Sequence, residues 1–434
     1  MEKVFLLCAL ALVLPAVPAK QFSCTMERDM SCTISSAKLS LDELPGSTFV
    51  AINPSLVRKM QFSRSTVSAL PATAFDAFPK LETLNASGTE LKQILPNTFG
   101  TAKVLQELYL GKNVLHSLPE DAFYGANRLK TLDLSDNSIA TIEASAFRRL
   151  RELKTLLLGG NHLADLPSAL FNDLSELETL ELQHNNLVAI DDRLLEGCTS
   201  LTKLNVSHNA LKALRLEQFE RRWSFDVIDA SYNSLDTVKI PSNLRQLVAT
   251  GNGIRTVQLN GVSSELILLK VPHNKLDSVD GLPTLEKLIS LDLSFNHIRT
   301  FDFNSIARFG KLILLKLDGN QLQAVSNSLP GPITHLKYVH LAHNQLVRFD
   351  LNVLTTVPRI IKLDLSRNQI ESLTVKDLSE SFPVLVRLLL EGNNLRCDDN
   401  RKLVKELKSS ITAYAQTRNE CRKEQKLVDG LCCS

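Results

Sequence analysis

The sequence predicts an α/β solenoid, a curved horseshoe of about fifteen coils whose strands line up as a parallel sheet on the concave side. Three observations predict it. Residues 129–142 read Leu-Lys-Thr-Leu-Asp-Leu-Ser-Asp-Asn-Ser-Ile-Ala-Thr-Ile, and the pattern recurs in register along nearly the whole chain. Its asparagine, Asn137, has counterparts at Asn113, Asn161, Asn185, Asn209, Asn233, Asn252, Asn274, Asn296, Asn320, Asn344, Asn368 and Asn393, most of them 24 residues apart. Within each unit apolar and polar positions alternate, as in Leu132-Asp133-Leu134, which is the period of a strand with one buried face.

The chemistry of the unit follows. Its two strand leucines point into the stacked core, while Asp133 points the other way, onto the open face of the sheet. The asparagine sits where the chain turns out of the strand, and its amide can bond backbone groups that the turn would otherwise leave buried and unpaired. Repeated in every coil, this makes a ladder. Ile139 and Ile142 then pack the convex side. The spacing Leu-x-x-Leu-x-Leu-x-x-Asn-x-Leu with a period in the twenties is the signature of leucine-rich repeats, in which each coil buries its apolar side only against its neighbours.

With 434 residues, 44% apolar, 22% charged and a net charge of +2, the chain is globular and near neutral. It lacks the basic bias that phosphate binding requires, which excludes nucleic acid as a partner. Residues 4–14 form an apolar run behind Lys3, followed by Val17-Pro18-Ala19, so residues 1–19 read as a secretory signal peptide. The run is shorter than the roughly 20 residues of a membrane span, and no other segment is long and uncharged enough. Cys24 and Cys32, eight residues apart, predict a disulfide in an N-terminal cap over residues 20–56. Such a cap covers what would otherwise be an exposed sheet edge.

The repeats fill residues 57–396. The first two coils are degenerate, with Ser65 and Thr89 standing where the asparagine belongs, and both hydroxyls can still bond the turn. Phe75, Phe99, Phe123, Phe147 and Phe171 recur with the repeat period and are predicted to fill the convex side behind short helical turns such as residues 118–123. Between Asn233 and Asn296 the spacings fall to 19, 22 and 22, and Ala230 and Ala249 thin the core beneath the strand, so a change of curvature is expected. Just before this lies Trp223, the only tryptophan. With strands roughly 4.8 Å apart the concave arc is about 70 Å long, the size of a protein partner rather than a metabolite.

After Cys397 the repeat stops. Asp398 and Asp399 favour a helix start and Leu403, Val404, Leu407 and Ile411 follow at helical spacing, so residues 397–434 are predicted to form a helical, cysteine-containing cap. Cys198, on a convex turn, is expected to be a buried free thiol, which leaves six cysteines beyond the signal peptide. A Cys397–Cys421 bridge would staple the cap helix, and the tandem pair Cys432-Cys433 must then reach elsewhere. Either the pair closes the cap with Cys397 and Cys421 as partners, or one member bonds another chain; spacing does not choose.

The histidines and cysteines fall into no zinc-type or nucleophile-type spacing and no glycine-rich phosphate loop occurs, so no catalytic, metal or cofactor site is predicted. The most unusual feature of the concave side is a column of rings immediately before the ladder asparagine: His184, His208, Tyr232, His273, Phe295 and His343, joined by His340 on its strand. Such rings could sense pH or hold a metal, or could simply be exposed at a tolerant edge. Two glycosylation sequons, Asn85-Ala86-Ser87 and Asn205-Val206-Ser207, fall at the outward strand position. Glycans there would push partner contacts toward the C-terminal half. There the outward residues Lys270, Asp292, Lys316, Tyr338, His340, Lys362, Asp364 and Arg387 mix charge with rings as binding surfaces do.

The secretion signal, the asparagine-ladder repeats and a basic cap ending in Asp429-Gly430-Leu431-Cys432-Cys433 together resemble the secreted leucine-rich-repeat immune proteins of mosquitoes. The resemblance implies a protein of the haemolymph that binds protein partners or microbial surfaces and acts with complement-like thioester proteins. It also implies that Cys432 or Cys433 is an interchain thiol supporting a disulfide-linked dimer. The chain stops one residue after the tandem cysteines, where long members of that family continue into a coiled coil, and so it looks like the short type. The competing expectation is an extracellular matrix or developmental ligand-binder of the same repeat class. Such proteins carry fuller cysteine caps at both ends.

Overall fold

A computed structural model of the chain describes residues 20–27, 30–44, 46–215, 225–261, 264–374, 382–398, 421, 424–428 and 431–434. The signal segment, Trp223 and the expected cap helix with Leu403, Val404, Leu407 and Ile411 lie outside the described residues. The chain divides into two compact units, Met1–Thr155 and Leu156–Ser434.

In the first unit the strands Ser31–Ser35, Lys59–Ser63, Thr83–Asn85, Glu107–Tyr109 and Thr131–Asp133 pair in parallel, in chain order and without slippage. The register aligns Met60, Leu84, Leu108 and Leu132, all buried. Burying each such side chain contributes about 1.5–3 kcal/mol, and it does so only because the next coil covers it. At the open end a short strand, Thr25–Met26, folds back antiparallel onto Ser31–Ser35, and the Cys24–Cys32 disulfide closes it. Gln21–Ser23 pairs with Thr48–Val50, and Phe22 stacks on Phe49 at 5.4 Å.

Opposite the sheet, Phe75, Phe99, Phe123 and Phe147 form a continuous spine with ring centroids 5.3, 5.6 and 5.9 Å apart. Helical turns behind the spine prove scarcer than expected. Thr73–Ala77 is a short α-helix, but residues 118–123 continue from the strand Ser117–Leu118 into plain turns. That strand pairs with Thr141–Ile142, and the extra ladder takes up backbone groups that a helix would otherwise satisfy internally.

The second unit repeats the design. Strands Thr179–Glu181, Lys203–Asn205, Val227–Asp229, Gln246–Val248, Leu268–Lys270, Ser290–Asp292, Leu314–Lys316, Tyr338–His340, Lys362–Asp364 and Arg387–Leu389 pair in parallel. In the shortened coils the convex arm straightens into a four-residue strand, Thr237–Ile240 beside Thr256–Leu259. Beyond them Asp302 and Asp350 cap 3-10 turns at Phe303–Ile306 and Leu351–Leu354 by accepting from the backbone N–H of Asn304 and Asn352.

The ladder binds coil to coil. Asn137 donates through Nδ2 to Leu134 O of its own turn and to Leu110 O of the coil before, while its Oδ1 accepts from Leu115 N–H. In the degenerate coils the hydroxyls do part of this work: Ser65 Oγ donates to Ser63 O and accepts from Ala37 N–H, and Thr89 Oγ1 donates to Ala86 O.

At the C-terminal end Lys426–Val428 pairs antiparallel with Leu431–Cys433, and disulfides join Cys397 to Cys433 and Cys421 to Cys432. Ser434 N–H donates to Leu395 O and Cys397 N–H to Ser434 O, so the chain end is tied to the last coil. Both tandem sulfurs are consumed within the chain. The interchain role that resemblance assigned to Cys432 or Cys433 therefore does not hold in this structure, and neither does a Cys397–Cys421 bridge. Adjacent cysteines in one strand point to opposite faces, so each reaches a different segment. Cys198 is the buried free thiol, and burial pushes it up to about 12, which removes it as a nucleophile.

Candidate binding surface

Every coil of the second unit offers the open face of its sheet the residue before the strand and the strand's first and third residues, the second being buried. Register stacks these into columns. The third-position column reads Lys270, Asp292, Lys316, His340, Asp364, Leu389, and the first-position column Leu268, Ser290, Leu314, Tyr338, Lys362, Arg387. All eight residues expected to form a binding face therefore share one surface.

They are also coupled. Lys316 Nζ lies 3.6 Å from Asp292 Oδ2, and Lys362 Nζ lies 3.9 Å from Asp364 Oδ2. His340 Nδ1 stands 3.9 Å from Asp364 Oδ2 and 3.9 Å from a carboxylate the sequence reading missed, Asp318. Asp318 occupies the position that holds serine in several other coils (Ser135, Ser207, Ser231, Ser294 and Ser366), and its Oδ1 accepts from Ala342 N–H of the next coil at 2.9 Å. Burial, reinforced by Asp364 and Asp292, pushes the Asp318 carboxyl up to about 6. Burial and the flanking Lys362 and Lys316 pull His340 down from its ordinary value. The signal available in the sequence was a carboxylate two residues before Asn320, where most other coils hold a small or neutral residue.

A second missed feature is apolar. The column just before the strands reads Ile267, Ile289, Ile313, Lys337, Ile361, Val386, tied coil to coil by backbone hydrogen bonds. Ile289 and Val386 are exposed and the other three apolar members half-buried. In the preceding coils of the same unit the equivalent residues are Glu178, Thr202, Asp226 and Arg245. The face thus changes character at Ile267, from polar to an apolar strip alongside an ionic column.

The ring column has a backbone cause. The residue before each ladder asparagine adopts the left-handed conformation; His184, His208, Tyr232, His273, Phe295 and His343 have φ between +52° and +55°. His184 stacks on His208 at 4.2 Å and His208 on Tyr232 at 4.4 Å; His273 stacks on Phe295 at 4.3 Å. Both runs end on a glycine of the same column. A Cβ on Gly251 would lie 2.7 Å from the Tyr232 ring, and one on Gly319 2.4 Å from that of Phe295. His340 is not part of this stack; it belongs to the ionic cluster.

The sequons coincide with a recurrent turn. Asp133, Asp229, Asp292 and Asp364 each accept through Oδ1 from the backbone N–H of the serine two residues on. Asn85 and Asn205 do the same with Ser87 and Ser207. Asn85 is exposed, but Asn205 is half-buried and its side chain also hydrogen-bonds Glu181, whose carboxyl burial pushes up. Among the described residues no group of three or more His, Cys, Asp or Glu is placed to hold a metal ion, and no helix is long and apolar enough to cross a membrane.

The leucine rich repeat family profile matches residues 103–163 and 151–211. No curated protein matches the sequence. Among solved structures, a chain of the mosquito LRIM1/APL1C complex is 26% identical, with a TM-score of 0.72 over 95% of this chain and 71% of that one. The mosquito APL1 leucine-rich repeat domain is 25% identical, with a TM-score of 0.71 over 95% of this chain and 99% of that domain. The Toll–Spatzle complex of Drosophila shares the fold at 14% identity and a TM-score of 0.59, over 91% of this chain and 68% of that one. Coil spacing, ladder geometry and these likenesses agree: the fold is a leucine-rich-repeat solenoid, similar to that of the mosquito APL1 domain and of a chain of the LRIM1/APL1C complex.

Proposed function

We propose that the chain is a secreted recognition or regulatory protein of innate immunity that binds a protein partner, or a microbial surface, through the open face from Ile267 to Val386. The observation that carries this reading is the grading of that face, an apolar strip beside an ionic column in strict register. Interface cores combine apolar area with a few oriented charges, and solvated sheet has no use for a strip of half-buried to exposed aliphatic side chains. The likeness to the LRIM1/APL1C complex supports a protein partner, and complement-like thioester proteins are a candidate class. The disulfides at both ends suit an oxidising compartment such as haemolymph.

Photo-crosslinkers placed at Ile313 and Tyr338, incubated in extracellular fluid of the source organism, are expected to give discrete adducts that a crosslinker at Asn304, exposed in the 3-10 turn Phe303–Ile306, does not. Identical adduct patterns from all three positions would remove the reading. Glycosylation, in turn, is expected at Asn85 and not at Asn205, whose amide is already engaged by Glu181. Intact mass of secreted protein should fall by a glycan on Asn85→Asp and be unchanged, apart from the residue itself, on Asn205→Asp. A glycan lost with Asn205 would reverse the assignment.

A further inference from the structure

We propose that the Asp318–His340–Asp364 cluster is a proton-operated switch on this face, raising the positive charge of the array around it in mild acid. The inference rests on the reading of the face as a binding surface and adds its regulation. Asp292 stands in register between Lys270 and Lys316, Lys362 shares its strand with Asp364, Tyr338 and Arg387 flank Lys362 on the strands to either side, and Asp318 follows Lys316 by two residues. His340 sits between Asp318 and Asp364, equidistant at 3.9 Å. A proton taken up by either the imidazole or the Asp318 carboxyl adds one positive charge to the array.

Geometry explains why that proton is held so weakly at neutral pH and so readily below it. Asp318 stands at a near-buried serine position, satisfied by a single backbone N–H from Ala342 and surrounded by two further carboxylates. It is ionised at pH 7.5 and largely neutral at pH 5, since its carboxyl titrates at about 6. Ser294 and Ser366 occupy the same position in other coils and carry no charge there. A carboxylate at this position costs folding stability at neutral pH, and such sites are retained where they serve binding or control.

The sign of the linkage is definite. The Asp318 carboxyl binds protons more tightly in the folded protein than in the unfolded chain, so folding is favoured by acidification through pH 6 and the advantage is lost as pH rises. Relative to Asp318→Asn, the native protein should therefore gain about tenfold in its folding equilibrium constant between pH 7.5 and pH 5, by urea titration. His340→Gln serves as the second variant and should leave that gain of tenfold order standing.

Binding is read with dextran sulfate, which stays fully charged across the range, immobilised on a sensor at low salt. Native protein should bind several-fold more tightly at pH 5.5 than at pH 7.5. Asp318→Asn should bind at pH 7.5 as tightly as the native protein does in acid, with a flattened pH response. If the native protein and Asp318→Asn share one pH dependence of stability, the cluster does not titrate and the inference fails. If stability is linked but dextran sulfate binding is unaltered by the substitution, the cluster titrates without controlling the face, and the inference fails again. Either failure leaves the crosslinking result, and with it the face itself, untouched.

Discussion

Asn320→Ala is expected to destabilise the second unit by about 3 kcal/mol, because the substitution strips four hydrogen bonds from a site that solvent barely reaches. Nδ2 donates to Leu293 O, Leu317 O and Asp318 O, and Oδ1 accepts from Ile298 N–H, in a side chain 5% exposed. Alanine takes the acceptor from the Ile298 N–H and one of two donors from each carbonyl, Leu293 O keeping Asn296 Nδ2, Leu317 O keeping Asn344 Nδ2 and Asp318 O keeping Phe295 N–H, and an orphaned buried donor alone costs about 1–3 kcal/mol. In a linear array each coil touches only its neighbours, so the damage should be local. Amide exchange should accelerate in the coils around Leu293, Leu317 and Leu341 while the coil of Leu180 keeps its protection. A loss under about 1 kcal/mol by urea unfolding would mean that water substitutes for the amide and that the ladder is dispensable.

Phe123→Ala should weigh as heavily in the first unit, at about 3–5 kcal/mol. The ring is 1% exposed and lies between Phe99 at 5.6 Å and Phe147 at 5.9 Å, so its loss opens a gap in the middle of the spine rather than at a rim. The sheet strands of its coil and of the coils to either side are pinned by parallel ladders, which limits how far the coils can close over the space. Phe123→Leu, which keeps most of the volume, should cost less than half as much. Equal losses for the two variants, measured by thermal unfolding, would place the ring's contribution in stacking rather than in filled volume.

The parts of this molecule that were legible in the sequence are those set by a repeating constraint. Leu132-Asp133-Leu134 announces a strand because alternation has no other cheap explanation, and Asn137 announces the turn because a buried turn needs an amide. The eight outward residues from Lys270 to Arg387 followed from the same alternation. What escaped was interruption. Asp318 reads as an unremarkable acidic residue until the fold sets it half-buried beside His340. The run from Ile267 to Val386 lies one residue outside the strand, where the period of two no longer applies, so its apolar character carried no structural signal. Cysteine pairing also needed three dimensions, since spacing alone allowed the tandem pair two fates. The helical turns foreseen over residues 118–123 failed because a second parallel ladder, at Ser117–Leu118, satisfies that backbone instead.

The left-handed residue before each ladder asparagine has a consequence for how such a surface can diversify. Lys112, Asp136, His184, His208, Tyr232, His273, Phe295, His343 and Arg367 occupy this position in nine coils, and Gly160, Gly251, Gly319 and Gly392 in four others. No valine, isoleucine or threonine occurs among them, as expected where branching at Cβ would collide with the backbone. Point substitution along this rim therefore draws on a restricted alphabet of rings, charges and glycine. A lineage exploring new ligands can vary aromatic stacking and charge there almost coil by coil, but aliphatic contacts have to be supplied by the opposite margin of the sheet.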